Sequence, residues 1–301
     1  MRELVVLGNV NVDLILGPLG AWPSEGTEVL VKRGVWRVGG NAGNAAVALA
    51  GLGARACLVS TVGQDLPGEW LRANLRGVSA LWRPVPEATS VTVAVTHPGG
   101  ERSFITHLGH LAQLGWTDLR ASVPAASPVL LAGGFLTPGL RRDYPALLRE
   151  LTGHGSEVAL DPGWPEGGFT GEVRAEMTSW LPHVTHLLIN ELEARSLTGE
   201  LDPRRAARAL VRHLPSGGTA VVKLGARGAV ATCGDEQSHV PAPTVRVIDT
   251  VGAGDIFNAA YLQARLGGGN LRAALEHGVQ VASRAISSSP RVFVPAGGVA
   301  W

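Results

Sequence analysis

The amino-acid sequence predicts an α/β fold of three layers, in which helices cover both faces of a mostly parallel central sheet and two further segments form antiparallel ribbons. Two observations carry this prediction. Short apolar runs, which are typical of buried parallel strands, alternate with helical patterns along most of the 301 residues. Two other segments instead alternate polar and apolar residues, as strands with one exposed face do. Because 45% of the residues are apolar, the chain can fill a sizeable core.

The strands of the central sheet are predicted at six short apolar runs. They lie at residues 4–8, 56–62, 129–132, 158–160, 186–189 and 219–224. Helical periodicity is found between these runs and after the last one, at residues 42–51, 68–75, 141–151, 191–197, 203–213, 253–266 and 271–287. Since strands that alternate with helices pair in parallel, we expect ligands to bind at the carboxyl ends of these strands.

Two segments break this alternation. Residues 28–37 and 91–105 are rich in Val and Thr and have the two-residue period of an antiparallel ribbon. Antiparallel strands are therefore expected within about residues 14–37 and 88–108, inserted in the α/β core. Since the sequence has no internal repeat and no linker-like tract, residues 1–301 are predicted to form a single domain.

Charge and composition exclude several classes of partner. The chain has 26 basic and 25 acidic residues and a net charge of +1, so no overall field attracts a nucleic acid polymer or an anionic membrane. Its two cysteines, Cys57 and Cys233, offer neither a disulfide framework nor a metal cluster. The N-terminus has no secretory apolar stretch, and no run of about 18 apolar residues follows it. We therefore expect small-molecule ligands and a cytoplasmic location.

The most informative run is DTVGAGD at residues 249–255, which an apolar helical stretch follows. The small residues Gly252, Ala253 and Gly254 would let backbone N–H groups converge on one anion at the positive end of that helix. Asp255 would then lie in the first helical turn, where it can accept a proton from a hydroxyl that attacks a phosphate. The alternative is an ordinary glycine-rich turn that opens a core helix.

This run is similar to the C-terminal signature of the ribokinase-like (PfkB) family of sugar and nucleoside kinases. Four further matches occur in the expected order: GNVNVD at 8–13, GGNAGNAAVALAGLG at 39–53, NELE at 190–193 and KLGARG at 223–228. The resemblance covers nearly the whole chain. It implies a ribokinase-like three-layer α/β/α sandwich in which the inserted antiparallel strands form a small β lid over the substrate, with ATP and Mg²⁺ as cofactors.

The resemblance also implies roles at the nucleotide end of the site. Asp255 matches the catalytic base, and residues 252–254 match the anion hole that stabilises the transferring phosphoryl group. Glu193 matches a carboxylate that holds Mg²⁺ through water. Asp249 and the carbonyl of Val251 match ligands of a monovalent cation such as K⁺. The implied nucleotide-binding residues are Asn190, Lys223, Gly225, Gly228, Asn258 and His277.

Each nucleotide-side residue also has a structural alternative. Asn190 and Glu193 fit a helix start with a capping box. The run 223–228 fits a β-hairpin turn with a solvated lysine. Asn258 and His277 fit ordinary roles on the surface of a helix or in the core.

On the acceptor side, the resemblance implies groups that contact the sugar and its hydroxyls. They are Asn11, Asp13, Gly39, Gly40, Asn41 and Asn44. Asn41 stands where ribokinase itself has lysine, a departure that bears on whether ribose is the acceptor. Arg102, in the run GERSF at residues 100–104, resembles the equivalent arginine of fructokinases and 2-keto-3-deoxygluconate kinases. Its planar fork would bind a carboxylate or a sugar oxygen, and a charge at a hairpin edge is its alternative role.

The sequence therefore predicts an ATP- and Mg²⁺-dependent kinase for a hydroxyl of a small sugar or sugar acid, of the ribose, fructose or 2-keto-3-deoxygluconate type. A nucleoside kinase is the first alternative, in which Trp22, Trp36 or Phe104 of the lid would supply a wall for the base. A non-catalytic sugar-binding regulator is the second, and the presence of Asp255 and Glu193 argues against it. Lid strands that pair between subunits would give a homodimer.

Overall fold

The computed structural model describes residues 2–75, 77–99 and 101–294. Gly100, which opens the run around Arg102, lies outside these ranges, as do the first residue and residues 295–301 of the predicted domain. Within the described ranges, the strands form a nine-stranded sheet and a separate four-stranded sheet. The predicted fold class, a mostly parallel sheet with helices and a small second sheet, is therefore confirmed.

The described residues form thirteen strands and nine α-helices. The strands are β1 Leu4–Gly8, β2 Asn11–Gly17, β3 Arg33–Gly39, β4 Ala56–Gly63, β5 Ser79–Val85, β6 Val91–Thr96, β7 Arg102–His107, β8 Val129–Ala132, β9 Val158–Asp161, β10 His186–Asn190, β11 Thr219–Lys223, β12 Ala229–Cys233 and β13 Glu236–Val240. The helices are α1 Asn41–Gly51, α2 Leu66–Asn74, α3 Trp116–Leu119, α4 Pro138–Gly153, α5 Gly171–Trp180, α6 Glu191–Thr198, α7 Pro203–Val211, α8 Ala253–Leu266 and α9 Leu271–Ile286. None of the helices in the described ranges has the length and apolar character that crossing a membrane requires.

The nine-stranded sheet has the order β13-β12-β11-β10-β9-β8-β1-β4-β5. Neighbours from β11 to β5 pair in parallel, and β12 and β13 add an antiparallel edge. All six predicted strands are present, whereas β5, β12 and β13 were not predicted. β5 contains Pro84 and is largely exposed, β13 is mostly polar, and β12 is built mainly of small side chains. None of the three has the short run of large apolar residues that marks a buried parallel strand.

The four-stranded sheet, which we call the lid, has the order β3-β2-β6-β7. β2 follows β1 after two residues, and it pairs antiparallel with β3 and parallel with β6. The first lid strand starts at Asn11 rather than at about residue 14, so the lid begins closer to the central sheet than the sequence predicts. Of the ribbon predicted at residues 28–37, only the part from Arg33 onward is a strand.

Apolar side chains pack against both faces of the central sheet. In β1, Leu4 and Val6 belong to a buried cluster that includes residues of α1, α8 and α9. Val5 and Leu7 belong to a second cluster, with residues of α4, α5 and α7. Because successive side chains of a strand point to opposite faces, this alternation places a helical layer on each side of the sheet.

The carboxyl ends of three neighbouring strands bring polar residues to one edge of the sheet. β9 ends at Asp161, β10 at Asn190 and β11 at Lys223. Together with the start of α8, these residues line a cavity of about 430 Å³. The edge of a parallel sheet that faces the strand carboxyl ends is the usual position of a ligand site in this class of fold.

Candidate active site

Asp255 lines this cavity from the first turn of α8. Gly252 precedes the helix as its N-cap with a φ of 73°, a left-handed backbone that glycine adopts without strain. Asn41 Nδ2 donates to Asp255 Oδ1 at 2.9 Å, and Asn44 Nδ2 donates to Oδ2 at 3.0 Å. The two asparagines that the sequence assigned to the acceptor therefore orient Asp255 in this structure.

The surroundings of Asp255 make its carboxyl group a weaker acid than an ordinary aspartic acid side chain. The residue is only 6% exposed. Burial, followed by the charge of Asp161, raises the pKa of Asp255 to about 7, against the opposing effects of Lys223 and the two amides. A carboxyl group with a pKa near neutrality can accept and release a proton in that range, which suits a general base.

Lys223 and Asp161 line the same cavity and form a cluster with Asn258. Lys223 Nζ donates to Asp161 Oδ2 at 2.7 Å and to Asn258 Oδ1 at 3.2 Å, while Asn258 Nδ2 donates to Asp161 Oδ2 at 2.6 Å. Although burial disfavours its charge, the carboxyl groups of Asp161 and Glu193 raise the pKa of Lys223 above its ordinary value. Lys223 is thus a fixed cation on the cavity wall and not the solvated lysine of the hairpin alternative.

Sequence reasoning missed two residues that organise this site. Asp161 is the last residue of β9, one position beyond the strand predicted from the apolar run. Asn9 follows β1, and its Oδ1 accepts the backbone N–H of Asn41 at 3.0 Å, which fixes the start of α1. Their place in the sequence could have identified both residues, because a polar residue at the end of a buried parallel strand or just after it lies where an α/β sheet binds ligands.

Asn190 and Glu193 form the capping box that opens α6. Asn190 Oδ1 accepts the Glu193 N–H at 2.9 Å, and Glu193 Oε2 accepts the Asn190 N–H at 2.8 Å. The helix-cap alternative is therefore present, and both residues also line the cavity. Burial, followed by the charge of Asp161, raises the pKa of Glu193 to about 8. A cation close to this buried carboxyl group would favour its ionised form.

Comparison with known proteins decides the family. The model of the family described as "pfkB family carbohydrate kinase" matches residues 1–291 of this chain. The chain belongs to the pfkB family of carbohydrate kinases. The resemblance seen in its motifs is thereby confirmed, and the protein is a phosphotransferase.

Relatives of this kinase act on sugars and on nucleosides. Ribokinase of Bacillus subtilis is 27% identical over 299 residues, which cover 96% of this chain and 94% of that protein. Adenosine kinase from Sinorhizobium meliloti superposes with a TM-score of 0.82 at 27% identity, covering 98% of this chain and 97% of that one. Arabidopsis thaliana ribokinase, complexed with ribose and ATP, superposes with a TM-score of 0.77 at 23% identity. The superposition covers 97% of this chain and 94% of that one. The chain is accordingly a sugar or nucleoside kinase.

Asn11 and Asp13, which the sequence assigned to the acceptor, lie together on β2. Asn11 Nδ2 donates to Asp13 Oδ1 at 2.7 Å and to Thr92 Oγ1 at 3.1 Å. Burial raises the pKa of Asp13, while the hydrogen bond from Asn11 opposes this effect. The structure thus brings the predicted pair together and adds a threonine of β6 that the sequence did not single out.

Gly39 and Gly40 let the end of β3 approach these residues closely. A Cβ at Gly39 would lie 2.1 Å from Asp13 Oδ1. A Cβ at Gly40, whose φ is 81°, would lie 2.3 Å from the carbonyl oxygen of Asn9. The sequence predicted that the sugar would approach the backbone where these glycines lack a side chain. In the structure, the Asp13 carboxylate and the Asn9 carbonyl occupy this space.

The carboxylate of Asp249 is surrounded by guanidinium groups. Within the described residues, Arg37 and Arg102 of the lid and Arg291 after α9 all donate to it, the last two at 2.9 Å. Although burial alone would raise it, the Val251 N–H and the three arginines lower the pKa of Asp249 to about 2. Arg102, which the sequence assigned to the acceptor, is therefore paired with a carboxylate of the protein.

A second cavity of about 430 Å³ adjoins the first and is mainly apolar. The two cavities share a wall formed by Lys223, Gly225 and the start of α8. Gly225 and Gly228 flank the turn between β11 and β12, so the predicted hairpin turn is present as well. Lining residues that the sequence did not single out include Ala242, Val245, Val247, Phe257, Ala282 and Ile286.

His277 is not among the residues that line either cavity. On α9, it is only 4% exposed, and its Nε2 lies 3.1 Å from Gln263 Oε1 of α8. Burial lowers the pKa of His277, which favours the neutral ring. The structure gives His277 the core role that the sequence left open, and its predicted contact with a nucleotide stays a prediction.

Proposed function

We propose that this kinase uses ATP and Mg²⁺ to phosphorylate a hydroxyl of a small sugar or sugar acid of the ribose, fructose or 2-keto-3-deoxygluconate type. The position of Asp255 carries the proposal. Its buried carboxyl group lines the same cavity as residues 252–254, whose backbone opens a helix, and as the cation Lys223. A base next to an anion-binding site is what phosphoryl transfer to an alcohol requires.

In the proposed reaction, ionised Asp255 takes the proton of the acceptor hydroxyl while the hydroxyl oxygen bonds to the γ-phosphorus of ATP. The bond between that phosphorus and its bridging oxygen breaks, and ADP leaves. Asn41 and Asn44 each donate to one carboxylate oxygen and so keep the base oriented. The N–H groups of Gly252 and Gly254 and the ammonium of Lys223 stabilise the negative charge of the transferring group, whereas the Ala253 N–H donates to the Thr250 carbonyl at 3.1 Å.

ATP is proposed to lie across the two adjoining cavities. Its phosphates suit the polar cavity, where Lys223 and the N-terminus of α8 supply positive charge. Its adenine suits the apolar cavity, whose wall includes Phe257 and Ile286. The Arabidopsis ribokinase structure with ribose and ATP supports ATP as the phosphoryl donor for a protein of this fold.

The residues present fit Mg²⁺. Glu193 is 3% exposed, lines the polar cavity and has a raised pKa, so a nearby positive charge would stabilise its ionised form. Glu193 and Asn190 are proposed to hold the ion through its waters, since Mg²⁺ keeps much of its hydration shell. The ion would supply charge that neutralises phosphate oxygens.

The lid register supports an acceptor with an acidic group. Asp13 pairs with Arg37 and with Thr92, and Arg102 pairs with Thr96 further along β6. Because side chains alternate along a strand, Asp13, Arg37 and Arg102 share one face of the lid. Although burial raises the pKa of Asp13 overall, the charges of both arginines act to lower it, so they lie close enough to influence this residue. A sugar acid would bring a carboxylate to this positive surface.

A nucleoside acceptor is the second candidate, and Phe104 favours it. Phe104 pairs with Ala94, which places its ring on the same lid face as Asp13, and it is 59% exposed. Trp36 pairs with Leu14 and lies on the opposite face. Of these two aromatic residues, only Phe104 is therefore placed to contact a base that binds beside Asp13.

A coupled assay of ATP consumption tests the proposed activity directly. The purified kinase is assayed with ribose, fructose, 2-keto-3-deoxygluconate, cytidine and adenosine as acceptors. We expect one sugar or sugar acid to give the highest kcat/KM. Preference for a nucleoside would select the second candidate. If no acceptor raised the rate of ADP formation above the slow rate measured without an acceptor, both candidate functions would be contradicted.

Phe104→Ala distinguishes the two acceptor classes by a single side chain. If a base stacks on the ring, its loss should lower kcat/KM for the nucleoside by about tenfold, since stacking of a base on an aromatic ring contributes ~1–3 kcal/mol. For a sugar or sugar acid we expect a much smaller effect. Ile105→Ala is the matched control, because Ile105 is 57% exposed on the opposite face of the same strand.

The raised pKa of Asp255 predicts how the rate depends on pH. Because the base must be ionised, kcat/KM for the acceptor should rise about tenfold per pH unit below pH ~7 and level off above it. The profile is measured at saturating ATP and Mg²⁺, from about pH 5 to about pH 9. A kcat/KM that stays constant down to pH ~5 would show that the catalytic base is not a carboxyl group with the raised pKa of Asp255.

The cytoplasmic location and the homodimer through the lid stay predictions. β7 is an edge strand of the lid, and its residues Phe104 and Ile105 are more than half exposed. An exposed edge strand with apolar side chains is a surface on which a second subunit can pair, which supports the proposed dimer.

A further inference from the structure

The side chain of Arg291 enters the loop that precedes α8. Its Nη2 donates to the carbonyl oxygen of Val251 at 2.6 Å and to Asp249 Oδ2 at 2.9 Å, and it lies 3.5 Å from the carbonyl oxygen of Asp249. The side chain is only 18% exposed. Three oxygens thus surround one positively charged nitrogen, and they belong to the two residues that the resemblance assigned to a monovalent cation.

The residues present do not fit K⁺ at this position. An ion bound to the Val251 carbonyl and to Asp249 Oδ2 would occupy the space that Arg291 Nη2 fills. It would also add a further positive charge to the three guanidinium groups that the described residues place around Asp249. The guanidinium group of arginine keeps its charge in proteins, so the oxygens already have a permanent cation.

Arg291 acts on the loop at the point where the anion-binding backbone begins. Other contacts fix the start of this loop, since the N–H groups of Ile248 and Asp249 donate to the Ile286 carbonyl at 2.8 and 3.1 Å. The carbonyl of Val251 and the N–H of Gly252 belong to one planar trans peptide and point in opposite directions. When Arg291 binds the carbonyl, it therefore also sets the direction of the first N–H group of the run 252–254.

We propose that Arg291 replaces the monovalent cation in this kinase and positions the anion-binding loop, so that activity does not depend on K⁺. Arg37 and Arg102 remain on Asp249 without it, but the described residues offer no other cation to the Val251 carbonyl. Loss of Arg291 should therefore free the Val251–Gly252 peptide to reorient. The activity part of this proposal rests on the proposed function, whereas the binding part does not.

The activity test compares the wild-type kinase with Arg291→Ala in buffers that contain K⁺ or tetramethylammonium. We expect the wild-type kcat to be the same in both buffers. Arg291→Ala should lose about tenfold or more in kcat without K⁺, because a displaced donor misplaces the phosphoryl group, and K⁺ or guanidinium should restore part of the loss. Arg284→Ala, an exposed arginine of α9, is the matched control and should behave as the wild type.

A binding test needs no acceptor and separates this proposal from the proposed function. The melting temperature of wild-type protein should not differ between K⁺ and tetramethylammonium, whereas K⁺ or guanidinium should raise that of Arg291→Ala, because a ligand of the folded state stabilises it. Melting that follows this pattern supports the proposal even if no acceptor in the screen is phosphorylated. Wild-type protein that K⁺ activates or stabilises would overturn it, as would an Arg291→Ala variant that K⁺ leaves unchanged in both tests.

Crystals of the wild-type protein grown with Rb⁺ provide a test that does not require a variant to fold. Rb⁺ resembles K⁺ in its ligands and is located by its anomalous scattering. We expect no anomalous peak next to the Val251 carbonyl and electron density for the Arg291 guanidinium group there. A Rb⁺ ion bound to that carbonyl, with Arg291 displaced, would overturn the proposal.

Discussion

Asp255→Asn should lower kcat for acceptor phosphorylation by about 10²–10⁴-fold, the usual contribution of a general base. The KM values of ATP and of the acceptor should change little, because the amide has nearly the shape of the carboxyl group. Asn44 can turn its own amide so that its oxygen accepts a hydrogen bond from the new Nδ2, while Asn41 still donates to Oδ1. Steady-state kinetics, with calorimetry for acceptor binding, measures the two effects separately.

The same substitution should also change how stability depends on pH. The pKa of Asp255 in the folded protein, about 7, lies above its ordinary value of 3.8. The folded state therefore binds the proton more tightly, and this contribution to stability is complete below pH ~4 and is lost as the pH rises through ~7. An amide does not titrate, so the difference in melting temperature between Asp255→Asn and the wild type should shift in favour of the variant as the pH rises.

Asp235→Asn is the matched control for these measurements. Asp235 is an exposed carboxylate in the turn between β12 and β13, so its replacement should leave both the rate and the pH dependence of stability unchanged. An Asp255→Asn variant that keeps the activity of this control would remove Asp255 from the mechanism. A variant that loses activity because it is unfolded would be recognised by its melting curve and not by its rate.

The central sheet and the start of α8 could be predicted because their signals are local. A buried parallel strand needs a short apolar run, and an anion-binding helix start needs small residues directly before the helix. Both patterns lie within a few consecutive residues, as in the strand that ends at Gly8 and the run 249–255. The predicted position of Asp255 in the first turn of α8 is therefore where the structure has it.

The contacts between the predicted residues could not be foreseen, because they join distant parts of the chain. Asp161 and Asn258 are separated by 97 positions, and Arg37 and Asp249 by 212. Propensity and periodicity carry no information about which charged side chains meet across such distances. The same limit explains why Arg102 was assigned to the acceptor, since only the folded lid brings it to Asp249.

Lys223→Met should produce the second large effect, on activity and on stability together. We expect kcat/KM for ATP to fall by about 10²–10³-fold, because a fixed positive charge at the transferring phosphate is lost. The free energy of unfolding should fall by about 3–5 kcal/mol, the usual result when one partner of a buried ion pair is removed. The reason is Asp161, whose side chain is 5% exposed and would lose the ammonium group that lies 2.7 Å from it.

A second substitution separates these two effects. The double variant Lys223→Met with Asp161→Asn also removes the carboxylate that the ammonium contacts directly, so most of the stability should return while the activity should not. Urea unfolding and steady-state kinetics of the single and double variants give the coupling between the two sites. Lys32→Met is the control, because Lys32 is exposed and is the only other lysine of the chain. If the double variant regained the wild-type rate, Lys223 would serve only to neutralise Asp161, and the charge at the phosphate would have to come from the backbone of residues 252–254.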